Sequence, residues 1–300
     1  MHENPQRDLF APILRSDALM GPFLLTARLF TLGIFIFYIE YEIKLPMSSV
    51  LLYLTMAIQA AGIFLVALGY KARFGALLLI AGVAASLVFR PHFGLIDYHV
   101  TGQKDLAVAG GLLFMFAYGA GPLSVDRYRS RKRMTAAETA SGDFPPAPFG
   151  NAAVVGLLLL AGRLISTVVF YVAGTFKTLH TPVMQAYMVK HNASVPINLI
   201  YLAIVTQLVA PTLVALGYKA RYGALALSGF CIIATVLFHA DFGNPSEVEQ
   251  FLLDFAIAGG FLFMFAQGPG LFSFDVGRLR SGTAGDRDLA VKKANVSLVG

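Results

Sequence analysis

GYKARFGALLL at residues 69–79 returns as GYKARYGALAL at residues 217–227, and this near-identity decides the fold. The match extends upstream as LVALGYKAR, at 65–73 and 213–221. LFMFA stands at 113–117 and 262–266, each time just after an Ala-Gly-Gly step at 109–111 or 258–260. Arg28 then falls opposite Arg163, Gln59 opposite Gln207, Asp105 opposite Asp254 and Asp126 opposite Asp275. Self-similarity at a fixed spacing marks a repeated structural unit. The chain is read as a tandem duplication, with extra residues in the second copy around 178–196.

The solvent of that unit is lipid. Of the 300 residues 57% are hydrophobic and 13% charged, with a mean hydropathy of +0.68. A soluble domain carries about 25% charged residues. Apolar runs long enough to cross a bilayer lie at about 21–41, 50–69, 74–90, 103–122, 152–175, 197–216, 222–239 and 249–267. The expectation is an all-α integral membrane protein: eight transmembrane helices, as two tandem four-helix bundles related by a pseudo-two-fold axis along the membrane normal. The expected segments are 1–20, a first repeat over 21–126, a basic linker over 127–150, a second repeat over 151–276 and a tail over 277–300. The first 20 residues hold no uninterrupted apolar core of a signal peptide.

Charge sets the orientation. The net charge is +6, and its sources cluster: RYRSRKR at 127–133, the Lys-x-Arg turns at 71–73 and 219–221, and the tail. Eight spans place all of these on one face only if both termini share it, and positive residues mark the cytoplasmic face. This distribution argues for membrane orientation and anionic headgroups as partners, and against nucleic acid. The single cysteine, Cys231, forms no internal disulfide or redox pair and reads as a small buried residue.

Several polar side chains fall where lipid would not tolerate them. Arg28 and Arg163 sit well inside their spans, roughly 10–16 Å at ~1.5 Å per residue. A charge near the bilayer centre costs at least about 2.5–3.5 kcal/mol. Two readings stand for these arginines and for Gln59 and Gln207: they cross-link helices, or they line a cleft and hydrogen-bond a ligand headgroup. Asp105 and Asp254, near the outer ends of the fourth and eighth spans, could pair with Arg, take up a proton or cap a helix start. His92, His99, His180, His191 and His239 all fall toward the outer face, with Asp241 opposite His92 in the repeat. Histidine and carboxylate on one face can relay protons or meet a ligand headgroup. Their spacings match no metal motif, and no phosphate loop or dinucleotide-binding fingerprint occurs in its required context.

These features resemble the DoxX family of small four-helix bacterial membrane proteins. The family pattern has Arg-Leu, Gly and Lys in helix one, then an acidic or amide residue before a Leu-Gly-x-x-x-Arg turn. It ends helix four in Gly-x-Gly-x-x-Ser-x-Asp. Here that last element is GAGPLSVD at 119–126 and GPGLFSFD at 268–275, and the turn ends at Arg73 and Arg221. The second copy keeps Gly174 and Lys177, where the first has Ile39 and Glu42. The resemblance covers both halves, about 21–126 and 152–275.

The resemblance implies a subunit of a membrane redox system in the bacterial cytoplasmic (inner) membrane, because one DoxX-like protein is a subunit of a thiosulfate:quinone oxidoreductase. It implies a quinone as ligand and an oxidoreductase as partner, with electrons supplied by that partner. No metal or flavin site is evident, and a homo-oligomer stays open. The candidate ligand-binding residues are Arg163, Lys177, Gln207, His239, Asp241 and Asp254 in the second copy, with Arg28, Gln59, His92 and Asp105 in the first. The competing reading is a non-catalytic anchor or assembly subunit for a periplasmic partner. A small-molecule transporter is less favoured, because Pro211 is the only proline well inside a span.

Overall fold

In lipid no water satisfies a free backbone N–H or C=O, so apolar runs of this length close their hydrogen bonds internally as helices. The computed structural model describes residues 14, 16–43, 50–89, 98–133, 151–191, 196 and 198–276. The helices among them are α1 Asp17–Ile43, α2 Val50–Leu68, α3 Ala72–Phe89, α4 Tyr98–Tyr118 and α5 Val125–Arg133, followed by α6 Ala152–Leu179, α7 Thr181–His191, α8 Leu199–Leu216, α9 Ala220–Phe238 and α10 Pro245–Gln267. No strand occurs among the described residues.

Local signals fix several helix ends. The Asn151 side chain accepts from the Ala153 N–H and starts α6. Asn244 does the same for Ser246, with Pro245 at the first helical position of α10. Gly217 ends α8 in the left-handed region at φ 67°, where an L side chain would cost about 1–2 kcal/mol.

Six helices are long and apolar enough to cross a membrane: α1 over Asp17–Glu40, then α2, α6, α8, α9 and α10. The apolar part of α3, Ala72–Val88, is shorter, and α4 carries Lys104 and Asp105. Large apolar side chains such as Leu29, Ile36, Phe64, Val168, Val205 and Ile233 are exposed. Burial is uneven, at 22% of the most apolar stretch of α2 against 67% of that of α10. α10 is therefore central and α2 peripheral.

Two elements differ from expectation. The fifth span was expected to end near 175 and extra residues to follow around 178–196, but α6 runs on to Leu179 and α7 follows at once. The turn is tight because the Thr181 hydroxyl donates to the Lys177 carbonyl and the His180 N–H to that of Phe176. The basic linker begins as helix α5, whose first turn carries Asp126. An acid there suits the helix dipole.

Two tandem four-helix bundles were expected, and the halves pack into one another. Within each half, consecutive long helices are neighbours, but α1 lies along α10, α6 lies along α4, and α4 meets α10. The two Ala-Gly-Gly steps make this possible. A Cβ on Gly111 would stand 2.7 Å from the Gly260 Cα, and one on Gly260 2.8 Å from the Gly111 Cα. A Cβ on Gly110 would stand 2.7 Å from the Gly162 carbonyl oxygen of α6, and one on Gly259 would meet the Ala27 carbonyl of α1. The first glycine of each step thus admits the other half's first helix, and the second admits the other half's glycine step. Between apolar helices in lipid, such close packing replaces the hydrophobic drive of water.

Gly260→Val is expected to lower the apparent melting temperature in detergent, by the ~1–3 kcal/mol typical of overpacking or more. Gly229→Ala, whose added methyl meets nothing within 4 Å, should leave it unchanged. Equal melting temperatures for the two variants would refute the crossing as a structural requirement.

Candidate functional site

The placement of the buried arginines divides scaffold from site. Arg28 is 1% exposed and Arg163 0%. The Arg28 guanidinium donates to the carbonyls of Leu123 and, at 3.4 Å, Val66. Arg163 donates to the carbonyl of Phe272, the repeat counterpart of Leu123. Each cation thus ties the first helix of its half to the turn that follows the fourth.

That turn is built to receive it. Gly119 and Gly121 have φ 82° and 88°, and Gly268 and Gly270 have 86° and 84°. The Ser124 hydroxyl donates to the Gly121 carbonyl at 2.7 Å, and Ser273 to that of Gly270 at 2.8 Å. The Asp126 carboxylate accepts from the N–H groups of Lys71 and Ala72, and Asp275 accepts from Lys219 and Ala220. These are orphan donors at the starts of α3 and α9. A Cβ on Gly69 or Gly217 would collide with the arginine of its half. The Gly-x-Gly-x-x-Ser-x-Asp element and the Leu-Gly-x-x-x-Arg turn are therefore one hydrogen-bonded clamp, present twice.

The two halves differ toward the other ends of their first helices. In the first, the buried Tyr38 hydroxyl donates to Asp105 Oδ1 at 2.5 Å, and Gln59 Nε2 donates to Glu42 at 3.2 Å. In the second, a cavity of about 600 Å³ lies among α6, α7, α8, α9 and α10, with Lys104 of α4 reaching in from the first half. Its polar lining includes Lys104, Lys177, Gln207, Tyr187, His239 and Asp254; most of the rest is apolar, including Phe170, Met188 and Cys231.

The polar groups are ordered by mutual contacts. Lys104 Nζ pairs with Asp254 Oδ1 at 2.7 Å and donates to Gln250 at 2.7 Å. His239 Nδ1 meets Glu247 at 2.6 Å, while its Nε2 stands 4.0 Å from Asp254 Oδ2, beyond a hydrogen bond. Gln207 is 4% exposed, and its Oε1 has no hydrogen-bond partner; neither does that of Gln59. Burial, with the carboxylates of Glu247 and Asp254 nearby, pushes the Tyr187 phenol above its ordinary range. Tyr187 thus stays a neutral donor at physiological pH. An apolar cavity with a few converging donors and acceptors is the usual form of a small-molecule site.

Of the residues singled out from sequence, Lys177, Gln207, His239 and Asp254 come together at this cavity. Arg28 and Arg163 do not line it; the cross-linking reading describes their contacts. Gln59 and Asp105 lie in the first half with side-chain partners of their own. Asp241 is exposed, its carboxylate accepting from the Gly243 N–H. His92 lies outside the described residues. His180 stacks on Phe176 at 4.5 Å and is not in the lining. Sequence reasoning missed Lys104 because the repeat offers it no counterpart: Leu253 stands there in the second half. Its one signal was a lysine beside an aspartate at the start of an apolar run.

Residues 158–240 match the family model DoxX. A stretch of 117 residues is 29% identical to "Inner membrane protein YqjF" of Escherichia coli (strain K12), covering 39% of this chain and 88% of that protein. No solved structure matches.

Arg163→Met should destabilise the protein by about 1–3 kcal/mol, because the charge-assisted hydrogen bond to the Phe272 carbonyl is lost. Arg163→Lys should restore little, since a point ammonium lacks the planar reach of guanidinium. Thermal unfolding in detergent measures both, and wild-type stability for Arg163→Met would overturn the clamp's role.

The segment over residues 158–240, which carries Arg163, Lys177, Gln207 and His239, is thus the part of the chain that is similar to a DoxX-family domain.

Proposed function

We propose that this chain is a bacterial inner-membrane protein that crosses the bilayer eight times, as two copies of one four-helix unit with both termini cytoplasmic. On this reading the second copy binds a quinone in its cavity and serves a partner oxidoreductase. The observation that carries the proposal is the shape and chemistry of the cavity. Lys104, Lys177, His239 and Asp254 gather in it with Tyr187, Thr206 and Gln207, and most of the remaining lining is apolar. Leu202, Leu225 and Ile233 belong to the lining and are also exposed on the lipid side. The cavity therefore reaches the membrane between α8 and α9. A polar ring with an isoprenoid tail suits such a slot: the tail stays in lipid while the ring oxygens meet lysine and glutamine donors.

Support also comes from the relative named as an inner membrane protein and from the DoxX domain over 158–240, which spans most of the cavity wall. Electrons would enter from the partner, and a quinone taking up two electrons and two protons would leave as a quinol. A second reading, an anchor for a periplasmic enzyme, draws on α7, whose Val183 and Val189 are exposed.

Two measurements test the scheme. With Cys231→Ser as background, Ser130→Cys should label only from the cytoplasm and Ser246→Cys only from the periplasm; labelling of both from one side would refute the topology. Decylubiquinone should bind the purified protein, and Lys177→Met with Gln207→Leu should weaken it at least ~10-fold, about 1.4 kcal/mol. Unchanged affinity in the double variant would count against the quinone site and favour the anchor.

A further inference from the structure

The two halves place different side chains at equivalent points, and the difference describes the ligand. With Arg28 and Arg163 in register, Tyr38 corresponds to Ala173, Ile39 to Gly174 and Glu42 to Lys177. In the first half the Tyr38 ring is buried and its hydroxyl donates to Asp105. In the second half Ala173 lines the cavity, and so does Asp254, the counterpart of Asp105. The tyrosine's ring and hydroxyl are thus missing where the acceptor they would serve has been kept.

We infer that the second-half cavity takes a hydroxyaromatic ligand that sits where Tyr38 sits in the first half and donates its hydroxyl to Asp254. This deepens the quinone reading and rests on it: the form held would be the quinol, the hydroxylated state of the ring. The surrounding groups suit that chemistry. Asp254 Oδ1 is held by Lys104, and Oδ2 is turned toward His239 without bonding it. A phenolic O–H arriving at Oδ2 meets a carboxylate that is already fixed in place. Where Glu42 accepts from Gln59 in the first half, Lys177 stands in the second. The acceptor there is replaced by a donor, so a ligand oxygen can accept a hydrogen bond from Lys177 while a ligand O–H donates to Gln207 Oε1. A ring bearing oxygens on opposite sides answers both ends; a plain hydrocarbon answers neither.

Three probes separate the possibilities: decylubiquinol kept reduced under argon, decylubiquinone, and the dimethyl ether of the same quinol, each measured by equilibrium dialysis against the detergent-purified full chain. The quinol is expected to bind at least tenfold more tightly than its dimethyl ether, and Asp254→Asn should remove that preference. Ala173→Tyr should abolish quinol binding with thermal stability retained, because the first half accommodates the same side chain at the matching point. Equal binding of all three probes would overturn this inference while leaving the quinone reading intact. Binding of none by the folded wild type would overturn both, and quinol binding undiminished in a folded Ala173→Tyr protein would overturn the assigned position.

Discussion

A guanidinium shut away from water must be given oxygen, and in this protein it takes backbone oxygen. Arg28 and Arg163 lie roughly 16 Å along their helices, at ~1.5 Å per residue, and find the carbonyls of the turns that follow α4 and α10. In the turns that carry those carbonyls, the glycines at 119, 121, 268 and 270 adopt φ between 82° and 88°. Asp126 and Asp275 then fasten the same turns to the starts of α3 and α9. Each clamp locks first, second, third and fourth helices of its half at one end of the membrane. The other end is left to differ.

The glycine steps act on a different scale. They remove side chains where α4 and α10 meet and where each takes the other half's first helix. Neither half is closed without the other, so the chain folds as one interleaved body. This arrangement brings Lys104, a residue of the first half, to Asp254 in the second. A salt bridge in such surroundings is weak grounds for stability, since desolvation offsets most of the attraction. Its clearer consequence is positional: it fixes one carboxylate oxygen in a cavity whose lining is mostly apolar.

With the scaffold common to both halves, the difference between them is chemical. The first half places a phenol and a carboxylate where the second places a methyl group and an ammonium. Tyr38 donates to Asp105 and Glu42 accepts from the Gln59 Nε2, both from within the chain. Ala173 and Lys177 instead open onto volume, and Gln207 keeps an unpartnered oxygen there. Repeats that share a frame can diverge in this way, because the clamp that holds each fold together lies apart from the residues that distinguish the two sites.

The sequence by itself determined the helices, the repeat and the inward placement of Arg28 and Arg163, because lipid leaves a backbone no alternative to helix and a buried cation no place on the outer face. It also pointed to Gln207, His239 and Asp254, each polar within or beside an apolar run, and the family resemblance added Lys177. Only the tertiary structure decided that the arginines serve the scaffold, that the halves interleave through their glycine steps, and that Lys104 belongs to the second half's cavity. These depend on which helix faces which across more than a hundred residues. Spacing along one helix carries no information about the neighbour that helix will meet.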